Sequence, residues 1–434
     1  MSRRFALPLG LLVVVFSLAL RWPQLSRWEL HVDEGLYADV SRHLVERGDL
    51  LINGAHSDKP PILYWVQAPC IALLGSTELA ARLPGLLAWL LGAFLLWRLL
   101  APRWGREAAL AGLVVWCLSP YGILHLSTGF TDPWMAVMGL GGWLCLATER
   151  PFAAGLWMAA SLASKQTGLL YLGPALLLLD SRASAKAFAK GYAWILGPLL
   201  IWSAFIANPK LGIWSRAAEY ASASVEAGVS RGSILVEQLQ RSGGILLWVL
   251  VFCAVLAPAR FRAGRVALLS IVGYAIFLLL SHGHFYDRYW LWALPAMSVA
   301  AAAGVRVMPR SLRLPFMAGL ALVLGFQWWA QGRDWEMGAA NHGFKAAGQW
   351  TRSQLQAGDK LYLAGKAKSQ GWKALFYFHP GHGQGLQQSE ITQLSEAKEK
   401  GWVLAYQGDL SGRPPDFDSG QGLVLWQIKG SHGL

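Results

Sequence analysis

Apolar runs of helical length recur along this chain from residue 5 to residue 330, separated by short and mostly basic connectors. A run of about 20 apolar residues is what a helix needs to cross the hydrocarbon of a bilayer. Composition agrees with that reading. Hydrophobic residues make up 54% of the chain and charged residues 15%, where a soluble domain carries about 25% charged residues. The pattern predicts a polytopic α-helical membrane protein.

The net charge of +13 is informative through its position. Arg98 to Arg106, Arg182 to Lys190, Arg260 to Arg265 and Arg306 to Arg313 are connectors between apolar runs, and Arg150 falls on the same side. The positive-inside rule assigns them to the cytoplasm. A nucleic-acid protein gathers its basic charge on one soluble face, so nucleic acid is excluded as a partner.

With the N-terminus inside, helices are expected near 5–20, 79–98, 107–124, 133–148, 152–165, 168–180, 188–206, 244–258, 266–281, 289–304 and 314–330, about 11 spans in all. The pair across 152–180 is short enough to be tilted or partly re-entrant. Arg3 and Arg4 precede the first apolar stretch, but Arg21-Trp22-Pro23 follows it in place of a small-residue cleavage site, so this helix is expected to be retained. The opposite face then receives the loop 21–78, the turn at Thr131-Asp132, the loop 207–243, the turn from Ser281 to Arg288, and everything after 330.

The first of these loops is patterned. Glu34 to Val45 carries Leu36, Val40 and Leu44 at four-residue spacing, which predicts an amphipathic helix on the membrane surface. Lys59-Pro60-Pro61 breaks the chain, and Ile62 to Leu74 is expected as a second interfacial helix. Tyr220 to Val225 and Ile234 to Leu239 suggest a further surface helix in the loop 207–243. After residue 330 the composition becomes that of a soluble domain: helix 343–355, strand 360–364, strand 374–379, helix 389–400, strand 402–406 and strand 422–428. This is a small C-terminal α/β domain over 331–434, following a transmembrane catalytic domain over 1–330.

Cys70, Cys117, Cys145 and Cys253 are scattered singly and read as small buried hydrophobes. Many of the 23 Trp flank helix ends, as an interfacial aromatic belt does.

Several residues have the chemistry of a site. Asp33 and Glu34 begin the surface helix; either a capping role or general-base catalysis suits them, and a base needs only one carboxylate in reach of its nucleophile. Asp132, in Thr131-Asp132-Pro133, suits an N-cap or a second catalytic acid. Lys59, Lys165 and Arg288 lie at or near the outer boundary, where converging cations would hold a phosphate and stabilise charge on a leaving group. Lys165 sits within apolar segments, and intramembrane charge is functional by default. His31 with Asp33, and His282-Gly283-His284 with Asp287, leave a divalent metal open, although no metal ligand is assigned. No glycine loop cradles a nucleotide phosphate.

The run Asp33-Glu34-x-x-Tyr37, Gly48-Asp49, Lys59-Pro60-Pro61-x-x-Tyr64-Trp65, Gly75-x-x-Glu78 and Arg82-Leu83-Pro84 resembles the first outer loop of the GT-C glycosyltransferases. The branch it is most similar to holds the bacterial aminoarabinose lipid A transferases and the dolichyl-phosphate-mannose protein mannosyltransferases. Fainter matches follow at Thr128-Gly129-x-Thr131-Asp132, Lys165-x-x-Gly168 and Arg288-Tyr289-x-x-x-x-Leu294-Pro295.

The resemblance implies a bacterial inner-membrane enzyme with its active site and C-terminal domain in the periplasm. It implies an inverting transfer from a polyprenyl-phosphate-linked sugar to a lipid, polysaccharide or protein acceptor, with no cofactor assigned. Asp33, with Glu34 beside it, matches the catalytic acid, and Asp132 the second acidic position. Lys59 and Arg288 match the donor phosphate site, with Tyr64, Tyr37 and Arg82 as further substrate-binding candidates. Lys165 is in a family-like segment, although Gln166-Thr167 stands where Gly-Pro is more usual. A lipid or polyol transporter, or a catalytically silent homologue, is the competing reading; a transporter would show inverted repeats and broken helices, which the sequence does not display clearly.

Overall fold

The computed structural model describes residues 3–26, 28–52, 57–206, 232–233, 235–236, 262–280, 287–331, 343–351, 354, 359–378, 387–391, 396–397, 399–410, 414–421 and 423–428. Their helices, in chain order, are α1 (Arg3–Ser26), α2 (Val32–Arg47), α3 (Ile62–Leu74), α4 (Glu78–Trp104), α5 (Arg106–Leu118), α6 (Pro120–His125), α7 (Asp132–Ala147), α8 (Pro151–Ser164), α9 (Leu172–Leu178), α10 (Arg182–Ile201), α11 (Arg262–Leu280), α12 (Leu294–Val307), α13 (Arg310–Gln331), α14 (Phe344–Thr351) and α15 (Gly371–Phe378). Short 3₁₀ turns precede α9 (Gln166–Tyr171) and α12 (Asp287–Trp292). The expected helix 244–258, the surface helix of the loop 207–243, and His282 and His284 lie outside the described residues.

Ala6–Leu25, Glu78–Trp104 and Arg310–Ala330 are long and apolar enough to cross a membrane, and four of the shorter apolar helices cover 151–164, 166–178, 266–277 and 294–307. α1 and α13 turn large side chains outward, among them Leu11, Leu12, Val15, Leu322, Phe326 and Trp329, each more than half exposed. A surface this apolar is suited to hydrocarbon rather than water.

The chain divides into two compact units. The first comprises Met1–Trp22, Leu51–Leu63 and Arg82–Arg333; the second comprises Pro23–Leu50, Tyr64–Ala81 and Asp334–Leu434.

In the first unit α8 packs on α7 and α10, and α5 on α12. Glycines set the closest crossing: a Cβ at Gly155 of α8 would overlap the Phe188 carbonyl, and one at Gly191 of α10 would overlap that of Phe152. Without a hydrophobic drive between helices in lipid, such small-residue contact lets backbones meet. Arg21 of α1 is fully buried. Its guanidinium donates to the carbonyls of Ser17, Cys117 and Gly122 at 3.1, 3.1 and 2.8 Å, bonds the Ser17 hydroxyl, and lies 4.4 Å over the Trp89 ring. It thus satisfies acceptors at the break between α5 and α6, where Ser119-Pro120 interrupts the run expected as one helix over 107–124.

In the second unit a five-stranded sheet runs in the order β2-β1-β3-β5-β4, with β1 Lys360–Ala364, β2 Gln387–Ile391, β3 Gly401–Tyr406, β4 Phe417–Asp418 and β5 Leu423–Ile428. β1 is parallel to both β2 and β3, while β5 is antiparallel to β3 and β4. Alternation along the strands divides the side chains between two faces. Leu361, Leu363, Trp402, Leu404, Leu423 and Leu425 join one core; Tyr362, Ala364, Val403, Ala405, Val424 and Trp426 join another. The first core also holds Leu30, Ala38, Ile71, Ala80 and Ala81, so the helices of the first loop and the sheet bury one apolar mass.

Two expectations for this region are corrected. Of residues 374–379, expected as a strand, 374–378 belong to the helix α15. Residues 389–400, read as a helix, begin within the strand β2. Parallel pairing of β1 with β2 requires a crossover between them, and a helix in 371–378 provides it. Tyr377 anchors that helix: its hydroxyl accepts from Leu30 N–H at 2.9 Å and donates to Glu78 Oε1 at 3.0 Å, while Lys345 Nζ is 3.1 Å from the same oxygen.

Candidate functional site

In the first unit, helix interruptions bring charge into an apolar setting. α8 ends at Ser164, and Lys165 adopts an extended conformation before the chain re-enters a 3₁₀ turn. Gly168 permits the re-entry, because a Cβ there would lie 2.5 Å from the Ser161 carbonyl. Its N–H donates to Lys165 O at 2.8 Å, closing the turn. Lys165 Nζ then meets Asp132 Oδ1 at 2.5 Å, with side-chain exposures of 8% and 3%. The ammonium also lies 4.6 Å from the centroid of the Tyr289 ring. Buried charges persist only when paired, and this lysine has both a carboxylate and a ring face.

Asp132 occupies the first position of α7, where the helix dipole favours an anion, and the N-cap is Thr131. The capping role considered for Asp132 is therefore not the one it has. Thr131 does not cap through its side chain either: among the described residues its buried hydroxyl has no hydrogen-bond partner.

Lys59 pairs with Asp58, and Ser57 Oγ donates to Lys59 O at 2.8 Å. Gln166 Nε2 donates to Asp58 O at 2.9 Å, tying the proline-rich loop to the break at Lys165. Asp58 is buried, and among the described residues its Oδ1 has no hydrogen-bond partner. Arg288, from the turn 287–292, lies 4.6 Å over the Phe130 ring. Lys59 and Arg288 are both close enough to act electrostatically on Lys165. The structure thus gathers Lys59, Asp132, Lys165 and Arg288. Asp58 was missed at the sequence level, although its place beside Lys59 was a usable signal. Arg82 of α4 belongs to the same unit and is completely buried.

Asp33, Glu34, Tyr37 and Tyr64 lie in the second unit. The N-cap of α2 is His31, not Asp33. His31 Nδ1 accepts from Asp33 N–H at 3.2 Å, and Glu34 Oε2 accepts from His31 N–H at 2.9 Å, a reciprocal capping box. Glu34 is fully buried in this role, whereas Asp33 is partly exposed in the first turn. Local geometry thereby gives the two carboxylates different surroundings. His31 is committed to the cap, and among the described residues no cluster of three His, Cys, Asp or Glu side chains could hold a metal.

Tyr37 and Tyr64 meet edge to face, with centroids 6.1 Å apart. Behind them Ser41 Oγ donates to Gln67 Oε1 at 2.7 Å, and Gln67 Nε2 donates to Ala81 O at 2.6 Å, locking α2 and α3 together. Further along α2, Arg42 pairs with Asp39. Burial pushes the Asp39 carboxyl up, and Arg42, His43 and Arg47 oppose the rise.

Residues 58–209 match the family model described as dolichyl-phosphate-mannose-protein mannosyltransferase. An undecaprenyl phosphate-alpha-4-amino-4-deoxy-L-arabinose arabinosyl transferase of Pectobacterium carotovorum is 28% identical over 228 residues, which cover 48% of this chain and 40% of that protein. A polyprenol-phosphate-mannose-dependent alpha-(1-2)-phosphatidylinositol mannoside mannosyltransferase of Mycobacterium tuberculosis is 26% identical over 191 residues, covering 41% of this chain and 43% of its own length. The matched stretches thus span less than half of these relatives. Over the fold as a whole, the crystal structure of ArnT from Cupriavidus metallidurans bound to undecaprenyl phosphate superimposes with a TM-score of 0.75 at 17% identity, covering 98% of this chain and 99% of that one.

Proposed function

We propose that this chain, a GT-C superfamily protein of the ArnT and protein-mannosyltransferase kind, transfers a sugar from a polyprenyl-phosphate donor to a cell-envelope acceptor at the outer face of a bacterial inner membrane. The observation that carries the reading is the gathering of Lys59, Lys165 and Arg288 with Asp58 and Asp132 in a largely apolar unit. Such an arrangement suits an anionic lipid headgroup attached to a polar sugar. The buried Asp58 Oδ1 and Thr131 hydroxyl are available to sugar hydroxyl or amino groups.

In the proposed reaction the acceptor oxygen or nitrogen attacks the anomeric carbon and gives its proton to the Asp33 carboxylate. The bond from that carbon to the phosphate oxygen breaks, and its electron pair leaves with the polyprenyl phosphate. The configuration at the carbon inverts. Lys59 and Arg288 stabilise the negative charge that grows on the departing phosphate, which is where fixed cations act most strongly. The Lys165–Asp132 pair fixes a carboxylate at the head of α7, placed to accept from the sugar. The commitment of Glu34 to the capping box supports Asp33 as the proposed base. About 11 spans, with the C-terminal sheet in the periplasm, complete the proposed topology.

The test is incubation of the purified protein in lipid with a panel of polyprenyl-phosphate sugars and envelope extract, following the donor by mass spectrometry. Wild type is expected to consume one donor and Asp33→Ala none. Equal consumption by both proteins removes Asp33 from the mechanism; movement of lipid across the bilayer without donor loss favours a transporter.

A further inference from the structure

We propose that Tyr171 and Tyr274 are positioning residues that hold the turn Asp287–Trp292, and through it Arg288 and Tyr289, in the geometry that recognises a lipid-linked phosphate. The inference rests on the reading of Arg288 as part of the donor phosphate site. Tyr171 ends the 3₁₀ turn that begins next to Lys165, and Tyr274 lies in α11; the two residues are more than a hundred positions apart in the chain. Both nonetheless donate to backbone carbonyls of the same six-residue turn. Tyr171 OH donates to Trp292 O at 3.0 Å, and Tyr274 OH donates to Tyr289 O.

The rings reinforce the hydroxyls. Trp292 stacks between them, 5.2 Å from Tyr171 and 4.6 Å from Tyr274, and Trp290 lies 5.5 Å from Tyr274. Both tyrosines are almost completely buried, with exposures of 1% and 3%. A 3₁₀ turn has poorer hydrogen-bond geometry than an α-helix and is seldom long, so external bonds have leverage over its conformation. What this turn carries is functional in character: Arg288 over the Phe130 ring, and the Tyr289 ring against the Lys165 ammonium. Two buried hydroxyls thus fix a cation and the aromatic face of a second cation without touching either one.

Neither tyrosine needs to meet the ligand, which separates this role from catalysis. Replacement by Phe retains the stacking and removes only the donor. A purely structural hydroxyl, when lost, changes stability and affects all ligands alike. A positioning hydroxyl changes the discrimination between a charged and an uncharged headgroup.

The experiment is titration of the full-length protein in detergent micelles with undecaprenyl phosphate and with undecaprenol, read by native mass spectrometry. The ratio of the two affinities isolates the phosphate. Wild type is expected to prefer the phosphate, and Arg288→Ala to lose most of that preference. Tyr171→Phe and Tyr274→Phe are each expected to narrow the ratio by about fivefold, as one hydrogen bond allows, and the double variant by more. Tyr192→Phe is the control: it removes a buried hydroxyl from α10 that has no hydrogen-bond partner among the described residues, and it leaves the ratio unchanged. A ratio unaltered in the double variant, whatever happens to its thermal midpoint, overturns the proposal while leaving the phosphate site intact. Absence of any phosphate preference in wild type overturns the underlying reading itself.

Discussion

Replacing Asp132 by Asn takes away the carboxylate that lies 2.5 Å from Lys165 Nζ, in a place where both side chains are more than nine-tenths buried. Breaking a buried pair by removing one partner costs about 3–5 kcal/mol, because the other charge is left without compensation. Here the remaining ammonium keeps the Tyr289 ring at 4.6 Å, a contact worth about 0.5–2 kcal/mol. Because that contact is the same before and after the substitution, the net loss for Asp132→Asn stays at about 3–5 kcal/mol. Lys165→Met should cost a similar amount, moderated by the favourable position of Asp132 at the start of α7, worth about 0.3–1 kcal/mol. The Asp132→Asn/Lys165→Met double variant removes both charges and regains most of the loss. Its coupling energy is expected to be at least about 2 kcal/mol, well beyond the scatter of independent sites. The assay is equilibrium unfolding of all four proteins in mixed micelles under titration with a denaturing detergent. Additive losses in the double variant, with coupling below about 0.5 kcal/mol, would refute the claim that the two charges stabilise each other.

Other consequences are equally direct. Gly191→Leu forces a side chain into the Phe152 carbonyl and should destabilise the α8–α10 crossing by about 1–3 kcal/mol, or more if the helices separate, as measured by the same unfolding titration. Glu34→Ala removes half of the capping box and should lower stability by about 1 kcal/mol while retaining donor consumption, whereas Asp33→Ala should abolish donor consumption; the reverse pattern of activity would exchange their roles. Tyr377→Phe deprives Leu30 N–H and Glu78 of a partner and should cost about 1–3 kcal/mol, with amide exchange accelerated at Leu30.

The membrane character of the chain, the bounds of α3 and the presence of helices around 133–148 and 152–165 were legible in the sequence, because hydropathy and helical spacing are properties of a local window. So were the residue types of the site: Lys59, Asp132, Lys165 and Arg288 stand out as charges beside apolar runs. What the tertiary structure decided is which of them meet. Asp132 and Lys165 are 33 positions apart, and only the packing of α7 on α8, with the break at Lys165, closes that distance. The same holds for Tyr171 and Tyr274, whose hydroxyls converge on one turn although nothing near either residue announces it. The aromatic run at 376–378 shows the limit most clearly. Its propensity favours a strand, but a helix forms there because two strands paired in parallel need a crossover between them. Local pattern thus determined which segments are apolar enough to cross a membrane and which side chains could do chemistry, while pairing across distant segments determined their partners, since that free energy exists only once the chain is folded.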